Sequence, residues 1–553
     1  MRSATIKQKS KSYLYILVLF CLLIFLLQTA LAFEYSEDIQ EQITSLTITN
    51  SVYSTASRLD ANLTLIPVTD FRQTSSMKTF PNAEPTSSGI LFSFKEKGKL
   101  LFGLTSNITT KFVLRELQGI PLTDLPLKTN TTELNFYKKS SNYSDSDNPL
   151  IRNKAQQITQ KTNNSIEVLY LLAEYVHNSM EYNLDYQELK KASVILEQKK
   201  GVCAQYTILF ISLARSLGFP ARYVSGVAYS NLINDSQEHA WAEVYFPGYG
   251  WVPYDTTFGQ YSYIDTSHII LKKSLDAGEA SVKYSYIRGY IQTDQISIDT
   301  QILDYKPKTQ ENFPTNISLK LQLYKDKVSQ DSYVPLEVNV KNNNDYYISL
   351  PISVSIGPGV YGNKSRKILL LEPNSQKKVF FILYLPEEYW CKKNCGTYAN
   401  ITVSDSFHDS STTNMTFSDF FDKVTLQEAQ RMVDEQTVSE IDFYCISNST
   451  VQDANKSVLC SIKPQVPQSM KICYQNSCTE RFFEKNQETQ VPFEIKTNES
   501  DACFILQNNN LSLDSCVTFE NKENKNFFHK IWDIFISFLL KLVFHISEYL
   551  GYS

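Results

Sequence analysis

Three residues at fixed places in this chain suit acyl transfer through a thiol. Cys203 follows Gly201 and Val202, at the start of a run in which Tyr206, Leu209, Phe210, Leu213 and Leu217 recur at three- and four-residue intervals. That period is one face of a helix, which Gly218 and Pro220 terminate. A thiol at a helix start lies among unpaired backbone N–H groups and at the positive end of the helix dipole. Those features favour a thiolate and offer donors for an oxyanion, and Gly201 allows a close backbone approach there. Such a site also needs a base and an orienter for that base. His239 would take and return the proton, and Asp255 would accept from its other ring nitrogen and fix the tautomer.

The elements around these residues must bring them together. His239 and Asp255 lie on strand-like runs that flank Phe246-Pro247-Gly248-Tyr249-Gly250. A turn centred on Pro247 sets them directly opposite one another on one face. A turn centred on Gly248 makes them diagonal neighbours, still within ~7–8 Å between backbones. An even-length register between those two would put them on opposite faces and defeat the arrangement. Trp241, Trp251 and Tyr254 suit local core or a cleft wall. Gln198 lies near Cys203, but its spacing gives it no defined role as a second oxyanion donor.

The motifs run in order as Gly201-Val202-Cys203, then Leu213 to Gly226 with Phe219-Pro220-Ala221-Arg222, then Glu238-His239-Ala240-Trp241, then Gly250-Trp251-Val252-Pro253-Tyr254-Asp255-Thr256-Thr257. Over roughly residues 150–275 this resembles the transglutaminase-like superfamily, the papain-like thiol fold with chain order Cys, His, Asp. The resemblance implies an α+β core and the catalytic set Cys203, His239 and Asp255. It implies a structural role for Arg222 and, by analogy with microbial relatives, a hydrolase of peptide or amide bonds. Protein cross-linking is the alternative reaction, and a non-catalytic surface scaffold or adhesin is the alternative class. No cofactor or metal is called for. His177, His268, His408, His529 and His545 stand without partners at ligand spacing.

The chain has 553 residues, and ~100–200 residues per domain gives three or four domains. With a net charge of −5 and no basic stripe beyond the N-terminus, nucleic acid is not an expected partner; the expected partners are a protein or peptide substrate and a membrane. Residues 1–32 have the basic start, apolar run and Ala30-Leu31-Ala32 pattern of a secretory signal peptide or signal anchor. Residues 33–148 are β-rich. Within them Gly89–Phe94 and Lys99–Phe102 suggest a hairpin, Lys111–Leu114 a further strand, and Lys138–Asn148 a linker. Residues 149–305 form the transglutaminase-like domain, 306–425 a β-sandwich and 426–520 a Cys-rich β domain. Residues 527–552 form a hydrophobic helix whose polar residues keep to one stripe, which suits membrane attachment.

Fourteen N-x-S/T sequons all fall between residues 33 and 516, and eight of the ten cysteines fall between Cys391 and Cys516. Both patterns fit an exported, cell-surface chain. Sequential pairing (391–395, 445–460, 473–478 and 503–516) is the simplest disulfide arrangement for those eight. Cys203 is left as the odd thiol.

Overall fold

The computed structural model describes residues 38–118, 131–160, 162–231, 233–309 and 316–356, and most of 361–518. The signal segment and the 527–552 stretch lie outside the described residues. Among the described residues no helix is long and apolar enough to cross a membrane.

The N-terminal region is two packed antiparallel sheets. Ile39–Ser54 shows every second side chain inward for most of its length, the period-2 pattern of a strand with one face in a core. It pairs with Gly98–Lys111 on one side and with Ser297–Pro307 and Ile291–Thr293 on the other. Arg58–Leu63, Gly89–Phe94, Glu84–Thr86 and Val282–Ile287 form the second sheet. Leu46, Ile48, Leu59, Ala61 and Phe92 share the buried core with Phe102.

The expected hairpin of Gly89–Phe94 with Lys99–Phe102 is not formed. Both runs are strands, as their patterns predict, but they are consecutive strands of different sheets. Their aromatic faces meet across the core, with the Phe92 and Phe94 rings 4.9 and 5.9 Å from Phe102. The strand through Phe102 ends at Lys111, so Phe112–Leu114 adds no separate strand. Strands between Val282 and Pro307 complete these N-terminal sheets, although they fall in the 149–305 span expected to form the transglutaminase-like region.

The site-bearing region packs helices Pro149–Thr159, Ser165–Ser179, Ala192–Gln198 and Cys203–Ser216 on a five-stranded antiparallel sheet. Asn148 and Asn164 cap the first two helices through their side chains. Every residue from Gln205 to Arg215 is buried, so the Cys203 helix is the central one. It packs on Ala240, Ala242 and Val244 of the sheet. Gly218, at φ +89°, ends it in the left-handed conformation glycine adopts without strain.

Residues 138–148 are not a free linker. Buried Arg215 donates to the carbonyls of Lys139, Ala221 and Leu275. Asp145 accepts from Ser193 N and Oγ at the start of the Ala192–Gln198 helix, and Asp276 accepts from Tyr143 N and Ser144 Oγ. The segment's Ser, Asn and Asp content serves these bonds rather than solvation.

Downstream, Ser332–Asn342, Ile348–Ile356, Arg366–Leu371 and Gln376–Leu385 are strands, joined by Gly396–Asp405 and Ser410–Ser418 in two further sheets. By compactness the chain divides into two units, one holding residues up to 326 with 336–381 and 397–416, the other holding 327–335, 382–396 and 417 onward. Within the second unit, Cys445–Cys460 and Cys473–Cys478 are disulfides. Cys503 is disulfide-bonded and stands opposite Cys516 in register. Cys391 and Cys395 lie outside the described residues. Cross-strand disulfides of this kind fit an oxidising compartment.

Gly226 stands opposite His239 in the sheet, and a Cβ there would lie 2.0 Å from the Ile269 carbonyl oxygen and 2.7 Å from the Trp241 ring. Gly226→Ala is therefore expected to cost about 2 kcal/mol through overpacking. A clear fall in melting temperature checks this, and an unchanged melting curve would contradict the close packing.

Candidate active site

The sheet order runs Gln260–Tyr261, Gly250–Asp255, Asp235–Phe246, Ala221–Ser230, Ile269–Ser274. Phe246 pairs with Gly250 and Ala242 with Tyr254, so the turn centres on Gly248, which has φ +83°. His239 and Asp255 are thus diagonal neighbours on one face, one of the two productive registers. Their side chains meet, His239 Nε2 lying 2.6 Å from Asp255 Oδ2, and both groups are buried.

Asp255 is held from several directions. Its Oδ1 accepts from the backbone N–H of Thr257 at 2.7 Å and of Phe258 at 3.0 Å. Burial would push this carboxyl up, but the His239 charge and hydrogen bond, with those of His268, hold it well below the usual carboxylate range. His239 is the mirror case. Burial opposes its charge, yet Asp255 and a side-chain hydrogen bond with Cys203 raise it to about 10. With Nε2 committed to Asp255, Nδ1 is the ring nitrogen left for Cys203. Phe258 stacks on the imidazole at 4.5 Å, and the fully buried Trp241 ring lies near-parallel to it at 6.1 Å.

Cys203 is a free thiol, partly exposed, at the first position of its helix. The first N–H groups of a helix have no acceptor within it; here Gln205 N, two residues after Cys203, already bonds the Val202 carbonyl at 3.0 Å. Val202, just before it, donates its N–H to Gln205 Oε1 at 3.0 Å, and Gln205 Nε2 reaches the Glu188 carbonyl at 2.8 Å. A Cβ on Gly201 would meet Gln205 Cβ at 2.4 Å. That glycine therefore makes room for the side chain that locks the turn at Cys203, a finer reason than backbone approach alone. Thr207 Oγ1 bonds the Ala240 carbonyl at 3.0 Å and ties the helix to the His239 strand.

Sequence reasoning misses two residues here. Tyr182 pairs with Gly201 in a short parallel bridge. Its phenol is raised by burial and then by the charges of Cys203 and Asp255, so it lies in the field of the site. Gln198 is exposed at the end of its helix. His268 is the second. It has no partner at ligand spacing along the chain, yet its Nε2 lies 3.0 Å from Asp255 Oδ2 and its Nδ1 3.0 Å from Asp265 Oδ1. Thirteen residues separate it from Asp255 in the chain, so no ligand-like spacing announces the contact. His177 Nδ1 lies 3.0 Å from the Thr256 carbonyl. Arg222 bonds Glu243 at 2.6 Å and stacks over Trp251, in keeping with the structural role the resemblance implies.

His239, Asp255 and His268 bring three ligand-capable atoms within 4.8 Å of one another. Two ligands on one zinc ion at ~2.0–2.1 Å stand about 3.3 Å apart. Separations of 2.6 and 3.0 Å to one carboxylate oxygen are instead those of a hydrogen-bonded chain.

Residues 152–256 match the family model of the transglutaminase-like superfamily. The chain carries a transglutaminase-like domain. An uncharacterized protein of Bacillus subtilis (strain 168), YebA, is 26% identical over 157 residues, which is 25% of this chain and 21% of that protein. The chain thus spans about a fifth of that relative's length. Among solved structures, a candidate cysteine protease from Cytophaga hutchinsonii is similar at 20% identity and TM-score 0.37, covering 48% of this chain and 93% of its own. Red sea bream transglutaminase is similar at 11% identity and TM-score 0.21, covering 87% of this chain and 93% of its own.

The transglutaminase-like domain is braced at the site by the N-terminal sheets. Buried Arg72 donates to the carbonyls of Asp265 and His268, both at 2.7 Å. Gln73 exchanges hydrogen bonds with Ile270 N and O, and Thr110 Oγ1 bonds the Thr266 carbonyl at 2.5 Å. Arg72→Leu takes the donor from the His268 carbonyl and leaves the Asp265 carbonyl only the 3.3 Å bond from His268 N, and is expected to cost about 2 kcal/mol. It should also speed amide hydrogen exchange across 265–271; unchanged exchange there would contradict the bracing.

Proposed function

We propose that the domain is a thiol acyl-transfer enzyme that hydrolyses peptide or amide bonds. The observation that carries this reading is the buried His239–Asp255 pair, hydrogen-bonded at 2.6 Å, with Cys203 at its free end. In this reading the Cys203 proton passes to His239 Nδ1 and Sγ bonds to the substrate carbonyl carbon. The oxyanion faces the N–H of Cys203 at the helix start. His239 returns the proton to the leaving amine, the C–N bond breaks, and an acyl-enzyme remains. Water attacks next, His239 taking its proton; the C–S bond breaks, the acid departs, and the Cys203 thiolate is left beside the protonated His239. The partial exposure of Cys203 supports water as acceptor. A protein amine in its place would give cross-linking.

The signal segment, sequons and disulfides support an exported protein acting on a protein or peptide substrate at the cell surface. The terminal apolar segments support attachment to a membrane.

Incubation of the full chain with a glutamine-containing protein and a fluorescent amine tests the reaction. Release of ammonia or new termini without label supports hydrolysis, whereas labelled protein would establish transfer to amines. Cys203→Ala should abolish both outcomes. Asp255→Asn keeps the shape but loses the charge and should lower turnover by roughly 10⁴-fold. Turnover that survives Cys203→Ala would refute the proposal. The general-acid step needs a protonated His239, so turnover should also fall as pH rises through about 10, where that imidazolium deprotonates.

A further inference from the structure

We infer that His268 is a positioning residue, an imidazolium held between Asp255 and Asp265 that moderates the pull of Asp255 on His239; this rests on the acyl-transfer reading above.

The hydrogen-bond inventory carries it. His268 presents a ring nitrogen to a carboxylate on each side, both at 3.0 Å. A neutral imidazole has a single N–H and would set its other lone pair against a carboxylate. Either the ring carries two protons or one carboxyl is protonated. Asp255 already accepts from His239 Nε2, Thr257 N and Phe258 N. Asp265 accepts from Ser267 N at 2.8 Å, Ser267 Oγ at 2.6 Å and Gln260 Nε2 at 2.7 Å. Both environments are built for the ionised form, so the proton belongs on His268. The direction of its shift agrees: burial opposes the charge, and Asp265 and Asp255 outweigh it.

The ionisable groups facing this ring are Asp255, Asp265, His239 and the Arg72 guanidinium on its backbone carbonyl, with Cys203, Tyr182 and Tyr261 in the field of Asp255 beyond. Trp241 and Phe258 close the remaining sides edge-on at 5.0 and 5.6 Å. Asp255 Oδ2 therefore serves two imidazoles. A carboxylate facing His239 alone would hold its proton more tightly and slow its return to the leaving group. His268 neither gives up nor gains a proton in the cycle.

The test is the pH dependence of Cys203 alkylation by iodoacetamide in the full chain, which needs no substrate. The folded wild type should react faster than the denatured chain. In His268→Gln one positive charge is lost beside Asp255, and both limbs of the rate profile should move up by about one pH unit. Asp265→Asn removes the second carboxylate and with it the His268 charge. It should shift the profile the same way by less, and the His268→Gln/Asp265→Asn double variant should fall back toward Asp265→Asn. If His268→Gln does not fold, Asp265→Asn carries the same comparison. A lower rate with unmoved limbs, or no change, would overturn the inference while leaving the acyl-transfer reading standing. A folded wild type that reacts no faster than the denatured chain would sink that reading and this inference with it.

Discussion

The arrangement depends on the carboxylate of Asp255. It is fully buried and ionised, and its two oxygens collect four donors from three directions. A buried charge persists only when its hydrogen-bonding capacity is met. The loop after Asp255 meets it with Thr257 and Phe258 N–H groups, the sheet meets it with His239, and the loop before Ile269–Ser274 meets it with His268. Every element that brings one of those donors is thereby fixed in place, including the Asp235–Phe246 strand that carries His239, whose other ring nitrogen faces Cys203.

This requirement reaches beyond the domain that holds Cys203, His239 and Asp255. The segment carrying Asp265 and His268 is anchored by Arg72, Gln73 and Thr110, all from the N-terminal sheets. Those sheets are themselves completed by strands from 282–307. The transglutaminase-like core is therefore inserted into the N-terminal β structure. Cutting the chain at the sequence boundary near 149 would remove the groups that hold the outer end of the Asp255 network.

Much of the site is legible in the amino-acid sequence. Cys203 at a helix start follows from the apolar period after it and from Gly218 and Pro220 at the far end. The meeting of His239 and Asp255 follows from the length of the Phe246–Gly250 turn, with the choice between two registers left to the φ of Gly248. The features that sequence hides are set by contacts distant along the chain or by a choice of sheet. His268 reaches Asp255 from the loop just before Ile269–Ser274, a strand not adjacent to Gly250–Asp255 in the sheet, with no helical or ligand-like spacing. Gly89–Phe94 and Gly98–Lys111 carry the alternation of paired strands, but alternation does not say which sheet a strand joins. The polar run 138–148 has the composition of a linker, yet Arg215, Asp145 and Asp276 hold it in place. Buried polar anchors and solvated linkers share a composition.

The central claim is that Cys203 forms a covalent acyl bond with help from His239. Mass spectrometry of the full chain after brief exposure to p-nitrophenyl acetate tests it most directly. The account predicts one acetyl group on the Cys203 peptide, formed and then lost with time, and absent from His239→Gln. An unmodified Cys203 peptide, or acetylation that proceeds equally in His239→Gln, would contradict it.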